Sequence, residues 1–256
     1  MWDQSKKKGM SLELNVNTLH YSQVNKILRS AISQGEKKFK LYGVNGHRYL
    51  VAGISKKIKV EIYGTPGLDL GAFMSGPEII VNGNSQDGAG NTMDDGKIVI
   101  KGMAGDVVGY GMRGGKIHVY SDVGYRVGIH MKAYMDKVPV IIIGGKAQDF
   151  LGEYMAGGII ILLGMITQYP DRPIAGLFVG TGMHGGTIYI RGKIKQSQLG
   201  VGLKPYPIDS KDEKLLEKHL KEFCEDFNLN LSEVFKEDFV KIIPYTHRPY
   251  GKLYAY

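Results

Sequence analysis

Gly-x-x-Met occurs six times in the middle of the chain, as Gly71/Met74, Gly90/Met93, Gly109/Met112, Gly128/Met131, Gly152/Met155 and Gly180/Met183. The first four methionines recur every 19 residues, and the next two intervals are 24 and 28. The longer intervals read as the same unit carrying about 5 and about 9 further residues, because insertions in a repeat array leave the unit as loops. Every copy but the fourth is followed at plus five and plus seven by an apolar pair: Ile79/Val81, Ile98/Ile100, Ile117/Val119, Ile160/Leu162 and Ile188/Ile190. The fourth has its pair displaced to Ile141/Ile143.

A unit this short cannot hold a β-α-β crossover, which takes about 30 residues, and apolar spacing of two is a strand signal. It fits one coil of a solenoid, in which the plus-five and plus-seven side chains share a face and stack on their copies in the next coil. Parallel crossovers are right-handed in nearly all cases. The predicted fold is therefore all-β dominated: a right-handed single-stranded parallel β-helix of about six or seven coils, on the order of 29 Å long for six. The methionines become interior filler. Glycines belong at the bends, where positive φ or close backbone approach excludes a Cβ; 36 of 256 residues are glycine, about twice the usual share of roughly 7%.

Each end of such a rod exposes unpaired backbone and needs a cover. Residues 1–60 read as a small α/β lead-in: an amphipathic helix over 22–33 with Val24, Ile27, Leu28, Ala31 and Ile32 on one face, ended by Gly35, then strand-like runs at 39–42, 49–52 and 58–63. Asn45-Gly46 signals a hairpin. Residues 61–203 form the β-helix. In 204–256, Asp209 or Ser210 caps a helix striped by Leu216, Leu220, Phe223 and Phe227, expected to pack on the C-terminal end of the rod. The tail from Pro244 to Tyr256, rich in tyrosine and proline, is expected to run back along the side or reach a partner.

The net charge is +8 with a pI near 9.3. The lysines are scattered, and Lys56/Lys57/Lys59 and Arg191/Lys193/Lys195 largely alternate along strands, which marks a wet face rather than a nucleic-acid footprint. One cysteine, Cys224, excludes an internal disulfide and reads as a small buried hydrophobe in a reducing compartment. No apolar run is long enough for a membrane helix, and no signal-peptide block opens the sequence, so a cytoplasmic location is expected.

Gly109-Tyr-Gly-Met-Arg-Gly and Gly180-Thr-Gly-Met-His-Gly match the dinucleotide pattern G-x-G-x-x-G, but each leads into a strand instead of the helix that pattern requires. The seven histidines form no metal-ligand spacing. Asp69, Asp87, Asp106, Asp149 and Glu153 recur near one place in the coil and are expected to bond backbone amides at bends. The inserts, within 132–140 and 165–178, are the places to look for contacts. Lys132, Tyr134, Asp136, Tyr169 and Arg172 are their candidate partner or anion contacts, and two loops on adjacent coils could form one surface.

Gly144-Gly-Lys-Ala-Gln-Asp-Phe-Leu-Gly-Glu-Tyr-Met-Ala-Gly-Gly, Gly102-Met-Ala-Gly-Asp-Val-Val-Gly and Gly180-Thr-Gly-Met-His-Gly-Gly resemble the glycine-repeat (GXGXG) β-helix at the C-terminal end of the glutamate synthase large subunit. The resemblance runs from about Asn25 to Gly192 and is strongest to the stand-alone domain-3 subunit of split glutamate synthases. A related repeat occurs in one of the subunits of formylmethanofuran dehydrogenase. The resemblance implies a non-catalytic scaffold in an enzyme that makes glutamate from glutamine and 2-oxoglutarate, docking glutaminase-like and FMN-binding chains. FMN and iron–sulfur clusters would then reside in partner chains, with no catalytic, cofactor or metal residue in this one. The alternatives are a β-helix subunit of a formylmethanofuran dehydrogenase-like complex and a stand-alone small-anion-binding protein; a homo-oligomer is compatible with each.

Overall fold

The computed structural model describes residues 11–244. In chain order the elements are β1 (Leu12–Asn15), α1 (Tyr21–Ser33), β2 (Lys38–Asn45), β3 (Lys59–Thr65), β4 (Ser75–Asn82), β5 (Asp95–Ile100), β6 (Lys116–Val119), β7 (Val140–Ile143), β8 (Ala156–Leu162), β9 (Gly185–Arg191), β10 (Tyr206–Pro207), α2 (Ser210–Phe227), α3 (Leu231–Val234) and β11 (Phe239–Ile242). They form one sheet in which β1 to β9 lie in sequence order, each parallel to the next, followed by β11 and β10. This is the parallel β-helix that the period predicts. The C-terminal tail beyond Pro244 lies outside the described residues.

Strand register restates the period. Lys59 pairs with Glu78, Glu78 with Lys97 and Lys97 with Lys116, so these coils close at 19 residues. Ile117 pairs with Ile141 and Ile160 with Ile188, the 24- and 28-residue coils. The plus-five and plus-seven side chains and the first five motif methionines are fully buried; Met183 is nearly so. Together they run as one continuous core from Leu12 to Ile242.

The bend that carries Gly-x-x-Met has a fixed conformation. Counting back from the methionine, positions −5, −3 and −1 have positive φ: Asp69/Gly71/Phe73, Gly88/Gly90/Thr92, Val107/Gly109/Gly111, Arg126/Gly128/His130 and Phe150/Gly152/Tyr154. The amides alternate in direction. Gly90 N donates back to Leu70 O, while Gly88 N and Thr92 N donate forward to Asp106 O and Tyr110 O, so every coil is stitched to both neighbours. In the Gly-x-x-Met copies the −3 position favours glycine, because there a Cβ would point inward onto the next coil's isoleucine: 2.4 Å from Ile117 Cδ1 at Gly90 and 2.6 Å from Ile188 Cδ1 at Gly152. The flanking positions carry glycine or larger side chains, among them Asp69, Phe73, Thr92, Val107, Arg126, His130, Phe150 and Tyr154.

Two further copies, not legible as Gly-x-x-Met, extend the array. Tyr49, Val51 and Gly53 repeat the three positive φ values ahead of Ile54. At the other end Gly200 N donates to Val179 O and Leu203 N to Gly200 O, the two bonds of the motif with leucine in the methionine's place. The hairpin read at Asn45-Gly46 is therefore corrected: β2 and β3 are parallel, and Gly46 turns a coil corner. Asn-Gly supplies a positive φ, and a coil needs that as much as a hairpin does.

The covers differ from one another. Helix α1 closes the N-terminal end by burying Val24 and Leu28 in the core. Its Asn25 accepts from Val51 N and donates to Tyr49 O, and Arg29 donates to Ala52 O, supplying partners that a preceding coil would have provided. Helix α2 begins at Asp209, whose carboxylate accepts from the amides of Lys211 and Asp212. It does not cover the rod's end as expected. Its Leu216, Leu220, Phe223 and Cys224 pack on outward side chains of β7, β8 and β9, including Ile142, Ile161 and Tyr189. The terminal coil instead meets β11, antiparallel to β9, which ends the parallel stack.

Candidate functional site

Three places on the rod gather chemistry, and the repeat explains how each arises. The first is the outer side of the Gly-x-x-Met bend. Because the outward positions recur every coil, side chains there form columns at the coil spacing of about 4.8 Å. Phe73, Tyr110, Tyr125, Tyr154 and Phe178 stand between 41% and 63% exposed along this edge. Within it Phe150 stacks on Phe178 with centroids 5.0 Å apart, and His130 stacks on Tyr154 at 5.4 Å. Tyr110 meets the His130 edge at 5.8 Å. The Arg126 guanidinium lies 4.4 Å over the Phe150 ring and donates from Nε to the buried Glu153 carboxylate at 2.9 Å. Several of these residues, Arg126, His130, Phe150, Tyr154 and Phe178, hold a left-handed backbone. A non-glycine residue in that region costs on the order of 1 kcal/mol, so neighbouring coils impose the display of these rings.

The second is the acidic corner. Asp87 Oδ1 accepts from Asp106 N at 2.9 Å, Asp106 Oδ1 from Tyr125 N at 2.8 Å and Asp149 Oδ1 from Leu177 N at 2.8 Å, as the turn reading expects. Each carboxylate sits over a glycine of the next coil; a Cβ at Gly105 would lie 2.0 Å from Asp87 Oδ1 and one at Gly176 2.0 Å from Asp149 Oδ1. Asp122 does the same with Lys146 N and also holds Thr167 and Gln168 through Oδ2. Asp69 and Glu153 differ, since their partners are the side chains of Asn91 and Arg126.

The third is a charged latch under α2. His118 is fully buried on β6, and its Nδ1 donates to Asp226 Oδ2 at 2.6 Å. Lys97 reaches Glu222 at 2.9 Å and Asp226 at 2.7 Å, and Lys116 also pairs with Glu222. Burial pushes the His118 pKa below its ordinary value, against the pull of Asp226. Burial likewise takes His219 down to about 4, aided by Lys116 and Lys218. For Glu222 burial would raise the carboxyl, but hydrogen bonds from Lys116 and Lys97 outweigh it and hold the group at about 2. The latch fixes the helix to the sheet.

The sequence-derived contact residues fall into two separate places. Tyr134 and Asp136 lie on the exposed first insert, a tight turn in which Tyr134 and Lys137 exchange backbone bonds, with half-buried Lys132 at its base. The second insert carries Tyr169 and Arg172, stacked on each other with the guanidinium 4.0 Å from the ring centroid. Lys146 Nζ holds that loop by donating to the carbonyls of Tyr169, Pro170 and Arg172. The first insert precedes β7 and the second follows β8, so the loops leave opposite ends of adjacent strands and do not form one surface. The aromatic columns were missed, although their signal was present: Tyr110 and Tyr154 fill x positions of the motif, and Phe150 and Phe178 stand two residues before its glycine, where a plain spacer would be small and polar. Cys224 is buried with its thiol pKa raised by burial and by Glu225. Among the described residues no group of three or more His, Cys, Asp or Glu is placed to hold a metal ion, and no helix is long and apolar enough to cross a membrane.

The chain is a parallel solenoid whose bends alternate left-handed positions around a recurrent glycine, and the GXGXG motif family matches its residues 41–245. The chain belongs to that family. It is 51% identical to Uncharacterized protein MJ1350 of Methanocaldococcus jannaschii over 97% of this chain and 98% of that one. In fold it resembles a chain of the formyltransferase/hydrolase complex (FhcABCD) from Methylorubrum extorquens, solved in complex with methylofuran, at a TM-score of 0.63 and 18% identity over 90% of both chains.

Proposed function

We propose that this chain is a non-catalytic docking subunit of a multi-subunit enzyme, and that its partners are the glutaminase-like and FMN-binding chains of a glutamate synthase-type complex. The observation that carries the proposal is the exposed aromatic edge. Rings held outward at strained backbone positions, over several successive coils, make an apolar strip of the kind that marks protein interfaces. Membership of the GXGXG family supports the glutamate synthase assignment. FMN and iron–sulfur clusters belong to the partner chains in this reading, since a single buried cysteine offers no cluster ligands. A second reading, a β-helix subunit of a formylmethanofuran dehydrogenase-like complex, draws support from the fold likeness over nine-tenths of both chains.

Sedimentation of the chain with coexpressed glutaminase-like and FMN-binding chains tests the proposal. Expected is a complex that forms at micromolar concentration and weakens at least tenfold in a Tyr154→Ser/Phe178→Ser variant whose melting temperature is unchanged. Glutamate formation should appear with the complex and not with the chain alone. Association with formylmethanofuran dehydrogenase-type chains in its place would support the second reading, and indifference of every complex to the double variant would remove the aromatic edge as the carrier.

A further inference from the structure

At the C-terminal end of the rod, just past the last bend, α2, α3, β10 and β11 border an open groove of about 910 Å³. Its walls carry Glu213, Glu217, Glu237 and Asp238 and no lysine or arginine. That is unexpected in a chain where Lys and Arg outnumber Asp and Glu by 33 to 25. Tyr206 and Phe235 present rings on the same walls. A cation already stands at the edge, where the Lys204 ammonium lies 5.1 Å over the Tyr206 ring. Two other nearby cations are committed elsewhere: Lys236 to Glu233, and Lys241 to Asp209 and Asp212.

We infer that this groove is a second docking site, built for an extended segment of a partner protein chain that carries arginine or lysine beside aromatic side chains. The carboxylates lie on two segments, α2 and the turn between α3 and β11, so they face the groove from two sides and attract a basic segment along its length. The rings add cation–π and apolar contacts for the same side chains. Strand addition is blocked at the bordering edge, because Pro205 lacks an amide hydrogen and β10 ends in another proline, Pro207. Recognition therefore runs through side chains. The acidic walls repel polyanions from the groove itself.

The inference stands apart from the glutamate synthase reading, since its test uses this chain alone. A fluorescent peptide alternating arginine with tyrosine, and a control with aspartate in place of arginine, are titrated into the full chain and into a Glu217→Lys/Glu237→Lys variant. Both substituted residues are exposed, so the variant should fold as the parent does. Expected is saturable binding of the basic peptide, lost at least tenfold in the variant and on raising salt from about 50 to about 300 mM, with no binding of the acidic one. Equal binding by parent and variant overturns the inference. So does binding that appears only after residues 245–256 are deleted, which would mean that the chain's own basic, tyrosine-rich segment is the occupant.

Discussion

At Gly128 a Cβ would lie 2.6 Å from Ile160 Cδ1, and at Gly111 it would meet nothing nearer than Thr92 Oγ1 at 3.5 Å. Both glycines have positive φ, 71° and 57°. Gly111→Ala should therefore cost only the left-handed backbone, about 1–2 kcal/mol. Gly128→Ala adds the inward clash and should cost about 2–5 kcal/mol. Urea midpoints of the two variants decide it, and equal costs would show that the −3 glycines are not selected by the interior. This distinction was half legible. The period located the glycines, but it could not say which of them face the core, because every second residue of the bend is left-handed. The same ambiguity hid the copy at Tyr49–Ile54, where Val51 keeps φ 62 in the glycine's place and isoleucine replaces methionine.

Helix α2 shows what single elements reveal and conceal. Its Asp209 cap and its stripe of Leu216, Leu220, Phe223 and Phe227 could be read from spacing, whereas its seat could not, since amphipathicity names the buried face and not what buries it. The missing clue lay in the strands. Outward positions are Lys40, Glu61 and Ile80 on β2 to β4, then Val99, His118, Ile142, Ile161 and Tyr189 on β5 to β9, so the sheet turns apolar where the helix covers it. From Asp212, bonded to Tyr189 on β9, to Asp226, bonded to Lys97 on β5, the helix advances about 21 Å. Four strand spacings are about 19 Å, so α2 runs along the rod axis across the strands. Leu220→Ala should cost about 2–5 kcal/mol by opening a cavity between helix and sheet, and hydrogen exchange should rise in α2 and the outer faces of β7 and β8 before β2 to β4. The latch makes the same helix acid-sensitive. His219 is at about 4 in the fold against an ordinary 6.5, so as pH falls through that interval the unfolded chain takes up the proton first and stability drops. Glu222, at about 2 against 4.5, extends the loss below pH 4.5. Melting temperature should thus decline steadily on acidification from about pH 7, and His219→Asn should make the limb below 6.5 shallower, the rest coming from buried His118, while leaving the lower one. A melting curve that rises on acidification would contradict these assignments.

For the whole molecule, a solenoid's stability is close to a sum of coil and neighbour terms, which separates what each coil needs from what it carries. The coil between Ile117 and Ile141 closes in 24 residues where its neighbours use 19, yet Met131 and Ile141 are as buried as their counterparts. The extra residues therefore contribute little to the core. Replacing residues 132–139 with Arg-Gly-Gly, the segment that joins Met112 to Lys116, restores the shorter spacing. Melting should be nearly unchanged, with stability within about 1 kcal/mol of the parent, because shortening a surface loop by a few residues alters closure entropy only slightly. If Lys132, Tyr134 and Asp136 are partner contacts, the same variant should lose association with the docking chains while keeping its fold. If association survives intact, the first insert is a passive bulge and the aromatic edge and the acidic groove must carry docking without it. If the fold itself collapses, the coil depends on its loop and the additive picture of the rod fails at that point.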